Sequence, residues 1–183
     1  MIMKIIEHKS NSYAPRTYHN AHTADLTLAL ATDFNTAGEK LTHKAAEKKY
    51  VGIPLNISNI EASRLLYKAC KVLDVRTLNV AGNGIYTLKL EGWSQETINA
   101  WVFEMIKRVH DHHPLESIIS GGQTGIDLAG GITGEALGID TVMTFPNGFR
   151  QRLIDGRDIT QTAIDVENDV KRYVDILKKE KSL

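Results

Sequence analysis

Ser120-Gly121-Gly122-Gln123-Thr124-Gly125-Ile126-Asp127 decides how this chain reads. An apolar strand, Glu116–Ile119, runs into it, and a helix over Asp127–Leu137 leaves it. Gly121 and Gly122 let the backbone turn tightly and approach a ligand closely. The first amides of a helix lack internal partners and carry partial positive charge. A strand, a glycine loop and a helix start therefore form a natural site for phosphate or carboxylate. Ser120, Gly121, Gly122, Gln123, Thr124 and Gly125 are the candidate ligand-binding residues. Thr124 offers a hydroxyl, and Gln123 can read a polar edge. Asp127 would repel an anion, so it is expected to take ribose hydroxyls or backbone amides. The lysine of a Walker A loop and the Gly-x-Gly-x-x-Gly of a dinucleotide fingerprint are both missing.

Working outward, a second loop has the same setting. Asp25–Thr32 is a compact apolar run suited to a buried strand, and Thr36–Lys49 reads as a helix. Thr36 can cap that helix, with Glu39 completing a capping box. Thr36, Ala37 and Gly38 could meet a ligand through backbone and hydroxyl groups, and Lys40 could neutralise phosphate. If both strands share one sheet, the two loops lie at the same edge and can face one pocket.

The rest of the chain keeps alternating. Ile2–Glu7, Tyr50–Leu55, Thr77–Ala81 and Asp140–Phe145 read as strands, and Ile85–Leu90 as a hairpin partner of Thr77–Ala81. Ser58 with Glu61 opens a helix whose expected apolar face is Ala62, Leu65, Leu66, Ala69 and Leu73. Ser94 can cap a helix carrying Ile98, Trp101, Val102, Met105, Ile106 and Val109. Thr160–Lys178 reads as a closing amphipathic helix, with Val166, Val170, Tyr173, Val174 and Leu177 inward. Gly130, Gly131, Gly134 and Gly138 point to close packing of the helix after the glycine loop. Strands separated by helices imply an α/β fold, a mostly parallel sheet covered on both faces.

With 183 residues, one domain spanning 1–183 is expected. Lys plus Arg and Asp plus Glu are 22 each, so the basic excess of a typical nucleic-acid binder is absent. No run approaches the roughly 18 apolar residues of a membrane helix. The N-terminus lacks the pattern of a signal peptide. The lone Cys70 cannot form an intrachain disulfide, and is read as a packed helix residue. A soluble, cytoplasmic protein is expected, and a homo-oligomer is compatible with the sequence.

Two smaller clusters complete the inventory. His110-Asp111-His112-His113 has metal-ligating side chains, but it lies in a helix-to-strand loop without fixed geometry, and no metal site is expected. Arg150, Arg152 and Arg157 follow the Asp140–Phe145 strand; Arg150 is the candidate to grip phosphate, as guanidinium suits bidentate contacts.

SGGQTGIDLAG, then Leu137-Gly138-Ile139 and Phe145-Pro146-Asn147-Gly148-Phe149-Arg150, resembles the opening of the molybdenum-cofactor carrier family. That family lies in the SLOG superfamily of Rossmann-like nucleotide-binding proteins, with LOG phosphoribohydrolases as more distant relatives. The early chain is similar to the later half of the family. Tyr13-Ala14-Pro15-Arg16-Thr17 with Asn20, then Ala24–Leu28, resembles its arginine–asparagine–aspartate segment. Thr36–Thr42 resembles its glycine–threonine helix start, and Leu78–Gly82 its late Asn-Val-Ala-Gly strand. The halves thus stand in swapped order, as in a circular permutation, over roughly 13–109 and 116–152.

The resemblance implies a Rossmann-like three-layer sandwich with permuted strand order. It also implies a small-molecule ligand, a nucleotide or a derivative, with Asn20 added to the binding residues; no cofactor is assigned. Binding is the leading function. The alternative is LOG-like cleavage of a nucleotide N-glycosidic bond, with Glu39 assisting at the ribose and Arg16 holding phosphate; these two are the only catalytic candidates. A molybdenum-cofactor carrier is the second alternative. The second loop reads TAGE where the relatives use a Gly-Gly-Thr core.

Overall fold

A computed structural model describes residues 3–181. In chain order the elements are β1 (Met3–Glu7), α1 (Tyr13–Thr23), β2 (Leu26–Ala31), α2 (Ala37–Ala46), β3 (Tyr50–Pro54), α3 (Asn59–Leu73) and β4 (Thr77–Gly82). Then come α4 (Ile85–Leu88), α5 (Gln95–His110), β5 (Ser117–Ser120), α6 (Ile126–Leu137), β6 (Asp140–Phe145), β7 (Gln151–Arg152), β8 (Asp158–Ile159) and α7 (Ala163–Lys181).

Six strands form one sheet in the order β1-β6-β5-β4-β2-β3, and every neighbouring pair is parallel. All six side chains of β2 are buried, as a central strand covered on both faces requires. Right-handed crossovers put α1 and α2 on one face and α3, α5 and α6 on the other. The larger core lies under α3, α5 and α6, around Leu28, Leu30, Leu66, Val80, Val102 and Ile118. The α/β fold with a parallel sheet expected from the alternation is present, and so is the Rossmann-like three-layer arrangement that the resemblance implied.

Local chemistry explains the helix starts. Thr36 Oγ1 accepts from the Glu39 amide at 3.2 Å, and Ser58 Oγ accepts from Glu61 N at 3.1 Å. At α5 the box is complete: Ser94 and Thr97 cap each other. α6 lies close on the sheet because Gly130, Gly131 and Gly134 stand over Val80, Met143 and Thr141, where a Cβ would collide. Cys70 is fully buried in α3, as read.

Several expectations are corrected. Ile85–Leu90 is not a strand: it forms α4 followed by a 3-10 turn, Lys89–Glu91. Ile85 and Leu88, three apart, bury one side of that single turn. α1 carries no apolar stripe to read, because its buried residues are Arg16, Asn20 and Ala21. Pro15 sits in its first turn, where the missing amide costs little. On α3 the buried face is Ala62, Leu66 and Cys70, one turn apart, while Leu65 and Leu73 are about half exposed. Element ends move by a few residues. The helix expected over Thr36–Lys49 is Ala37–Ala46, and the closing helix starts at Ala163, preceded by Thr162 bonded reciprocally to Asp165. Residue 2 of the first expected strand lies outside the described residues.

Candidate functional site

The parallel sheet sends the carboxyl ends of all its strands to one edge. From β2 the chain runs outward to β3; from β4 it runs the other way to β5. The loops after β2 and β4 therefore part, leaving a crevice at the topological switch point. A cavity of about 310 Å³ fills it. α1 contributes Tyr13, Arg16, Thr17 and Asn20, the start of α2 gives Thr36, Gly38 and Glu39, and β4 supplies Asn79 and Ala81. The glycine loop and the start of α6 add Gly121, Gln123, Thr124 and Asp127. The two expected loops do face one cavity.

The floor is polar and incompletely paired. Arg16 Nε, Asn20 Oδ1, Glu39 Oε2 and Asn79 Oδ1 are four of the seven buried side-chain atoms without a partner among the described residues, and all four belong to residues lining the cavity. Buried polar groups are nearly always hydrogen-bonded. Four unpaired ones around one space are what a polar ligand or ordered water would satisfy.

Arg16 is 5% exposed and spans the sheet edge. Its Nη1 donates to Gly121 O and to Thr144 O at 3.2 Å, and stands 3.7 Å from Asp127 Oδ2. Burial lowers its pKa, an effect the Asp127 charge opposes. Asp127 Oδ1 accepts from Gly82 N at 3.2 Å, so the backbone amide it was expected to take comes from β4. Burial raises Asp127 to about 6, offset in part by Arg16 and the Gly82 amide. Glu39 is 3% exposed. Burial first, then the charges of Asp127 and Asp33, push it up to about 8. Thr36 caps α2 as expected, yet the reciprocal bond that closes the box at Ser94 is not made by Glu39. Its carboxyl faces the cavity instead.

The glycine loop differs in detail from its expected role. Gly125 N donates to Gln95 Oε1 at 2.6 Å and Ile126 N to Asn83 O at 3.2 Å, so these first amides of α6 are already paired. Gln123 Nε2 donates to Arg150 O, Gln123 Oε1 accepts from Arg152 N, and Thr124 Oγ1 donates to Arg152 O. These side chains clamp the β7 strand as well as bordering the cavity. Ser120 is fully buried in β5 and does not line the cavity. Gly122 has φ +70° and lies against the Phe145 ring, away from the cavity. Of the loop's three glycines only Gly121 stands at the lining, between Arg16 and Asp127.

Other candidates lie outside the cavity wall. Ala37 and Lys40 are exposed on α2 and do not line it. At about 100° per residue, turning Glu39 inward carries Lys40 away. Arg150 pairs with Asp158 at 3.0 Å and does not line the cavity, whereas Arg152 does. Arg157 pairs with Asp155. His113 Nε2 bonds Val75 O at 2.6 Å and His110 Nδ1 accepts from Leu115 N, so two of the three clustered imidazoles serve the backbone. Among the described residues no helix is long and apolar enough to cross a membrane.

Asn83 had no place in the sequence reading. Its Oδ1 accepts from Thr32 N and Asp33 N, and its Nδ2 donates to Asp33 O, latching the loop that precedes α2. Its position directly after an apolar strand, inside Gly82-Asn83-Gly84, was the available signal.

Residues 2–86 match the circularly permutated YpsA SLOG family. The match covers the part of the chain that resembles the later half of the unpermuted proteins, and it bears out both the SLOG superfamily and the swapped order. It does not single out the molybdenum-cofactor carriers. Comparison with curated proteins finds no match, and comparison with solved structures finds none.

Proposed function

We propose that the protein binds a nucleotide or nucleotide-derived small molecule in the crevice between the β2 and β4 loops. The observation that carries this reading is the set of unpaired polar atoms on Arg16, Asn20, Glu39 and Asn79 around one cavity. Sugar hydroxyls and base edges are donors and acceptors of the kind those atoms need. Mass spectrometry of small molecules released from the native protein tests it, followed by calorimetry with the compound found. Asn79→Ala and Glu39→Ala should weaken binding roughly five- to hundredfold, by about the 1–3 kcal/mol of a lost buried hydrogen bond. Undiminished affinity in both folded variants would sink the assignment.

A second reading, N-glycosidic hydrolysis, has one observation in its favour. Glu39 and Asp127 share the cavity, with pKa values of about 8 and about 6. Near neutrality the first is a proton donor and the second mostly an acceptor, the separation that acid–base chemistry uses. Water would add at C1′ while the base leaves with its electron pair and a proton. Chromatography for free base after incubation with nucleoside monophosphates decides it. Base release lost in Glu39→Ala, with affinity retained, promotes the hydrolase; tight binding without product supports the binder.

A further inference from the structure

We infer that Arg152, carried on the β7–β8 hairpin, is the phosphate-recognising and specificity-determining residue of this cleft, and that its ligand is a phosphomonoester whose phosphate sits at the mouth. The inference rests on the nucleotide-binding reading and goes beyond it by fixing the ligand's charge and direction.

Arg16 and Arg152 are the cationic side chains lining the cavity. The charge of Arg16 is already matched: its Nη1 serves Gly121 O and Thr144 O beside the Asp127 carboxylate, and its unpaired Nε lies buried in the interior. The inner wall also carries Asp127, whose charge would repel a phosphate, and the buried Glu39 carboxyl. Gly125 N and Ile126 N, two of the amides at the start of α6, are bonded within the protein. The interior therefore suits hydroxyls and a neutral base, and the dianion belongs outside, at the one remaining guanidinium.

Arg152 is built to wait there. Its side chain is half exposed, and its Nε and Nη2 grip Asp158 at 2.8 and 3.1 Å. Asp158 also receives Arg150 Nη2 at 3.0 Å. One carboxylate thus faces two guanidiniums, leaving one positive charge over. The fork that holds Asp158 is the fork that suits a phosphate, so Asp158 acts as a resident counter-ion that a phosphate can displace. Gln123, Thr124 and Gln151 hold the arm: they bond the backbone of Arg150 and Arg152 and the carbonyl of Gly122. The glycine loop presents an arginine rather than binding the anion itself, and Gln123 is a positioning residue.

The test is calorimetric titration of the full chain with AMP, GMP, CMP and UMP and with the four matching nucleosides. For at least one base the monophosphate should bind about ten- to hundredfold tighter than its nucleoside, the value of a charge-assisted pair. Arg152→Gln should abolish that ratio; Arg152→Lys should keep part of it. Asp158→Asn should tighten the monophosphate alone. Preference retained in Arg152→Gln would overturn the inference while leaving nucleotide binding intact. So would a monophosphate affinity that falls in Asp158→Asn. A wild-type protein that binds none of the eight compounds overturns the nucleotide reading and this one together.

Discussion

Asp127, in the first turn of α6, and Glu39, in the first turn of α2, line one cavity, where burial first and then the Asp127 charge raise the Glu39 carboxyl to about 8. The two residues come from distant parts of the chain and meet because β2, β4 and β5 are parallel neighbours with their carboxyl ends at one edge.

Stability should therefore depend on Glu39 and on pH. Its folded pKa is raised from an ordinary 4.5 to about 8. The unfolded chain loses this proton first, so the stability present below about pH 4.5 falls as pH rises and is lost by about pH 8. Glu39→Gln should remove that slope and stabilise the protein at pH 8 relative to wild type, by on the order of a few kcal/mol. Urea midpoints at pH 5 and pH 8 check it; equal pH dependence in both proteins would refute the buried, protonated carboxyl.

Gly122 should matter to folding before binding. Its φ of +70° disfavours any side chain, and a Cβ there would enter the Phe145 ring. Gly122→Val should destabilise by about 2–4 kcal/mol, combining backbone strain with overpacking. Thermal unfolding measures this. A variant as stable as wild type would show that the loop has room the structure does not give it.

The chain announced its fold through β2, α5 and α6, whose apolar runs, caps and glycines point the same way. It announced the two site loops because each follows a buried strand and opens a helix. It did not announce α1, whose inward residues are polar, nor the direction in which the glycine-loop side chains turn. Gln123 and Thr124 look like ligand-reading groups until the β7 backbone is seen against them. That partner lies in an irregular segment, and no local periodicity records which loop will fold over which. Lys40 and Glu39 are adjacent in sequence, and only packing shows which of them points inward.

Arg16 and Asp127 should behave as a buried pair whose halves cannot be removed separately. Asp127→Ala leaves a buried guanidinium without its counter-charge and the Gly82 amide without its acceptor. A cost of about 3–5 kcal/mol is expected for that single change. Arg16→Met with Asp127→Leu should cost less than the sum of the single substitutions, since no charge is then stranded. A double-mutant cycle by denaturant unfolding gives the coupling; strictly additive costs would refute the pairing.

Asn83, itself part of the cavity wall, should prove the residue that sets the cavity's geometry. Its side chain accepts from Thr32 N at 2.9 Å and Asp33 N at 3.0 Å and donates to Asp33 O at 3.0 Å, while its own carbonyl holds Ile126 N. It thereby fixes the loop into α2 and the start of α6 relative to each other, and with them Glu39 and Asp127. Asn83→Ala removes the side-chain bonds and keeps the carbonyl, leaving backbone groups of the Thr32–Asp33 turn unpaired at about 1–3 kcal/mol. Asn83→Asp keeps the acceptor but loses the donor to Asp33 O, and should recover part of that loss. Hydrogen exchange should show faster opening at Thr32 and Asp33 in Asn83→Ala, with β2 itself still protected. Unchanged exchange at those two amides would mean that the loop is held by something other than Asn83.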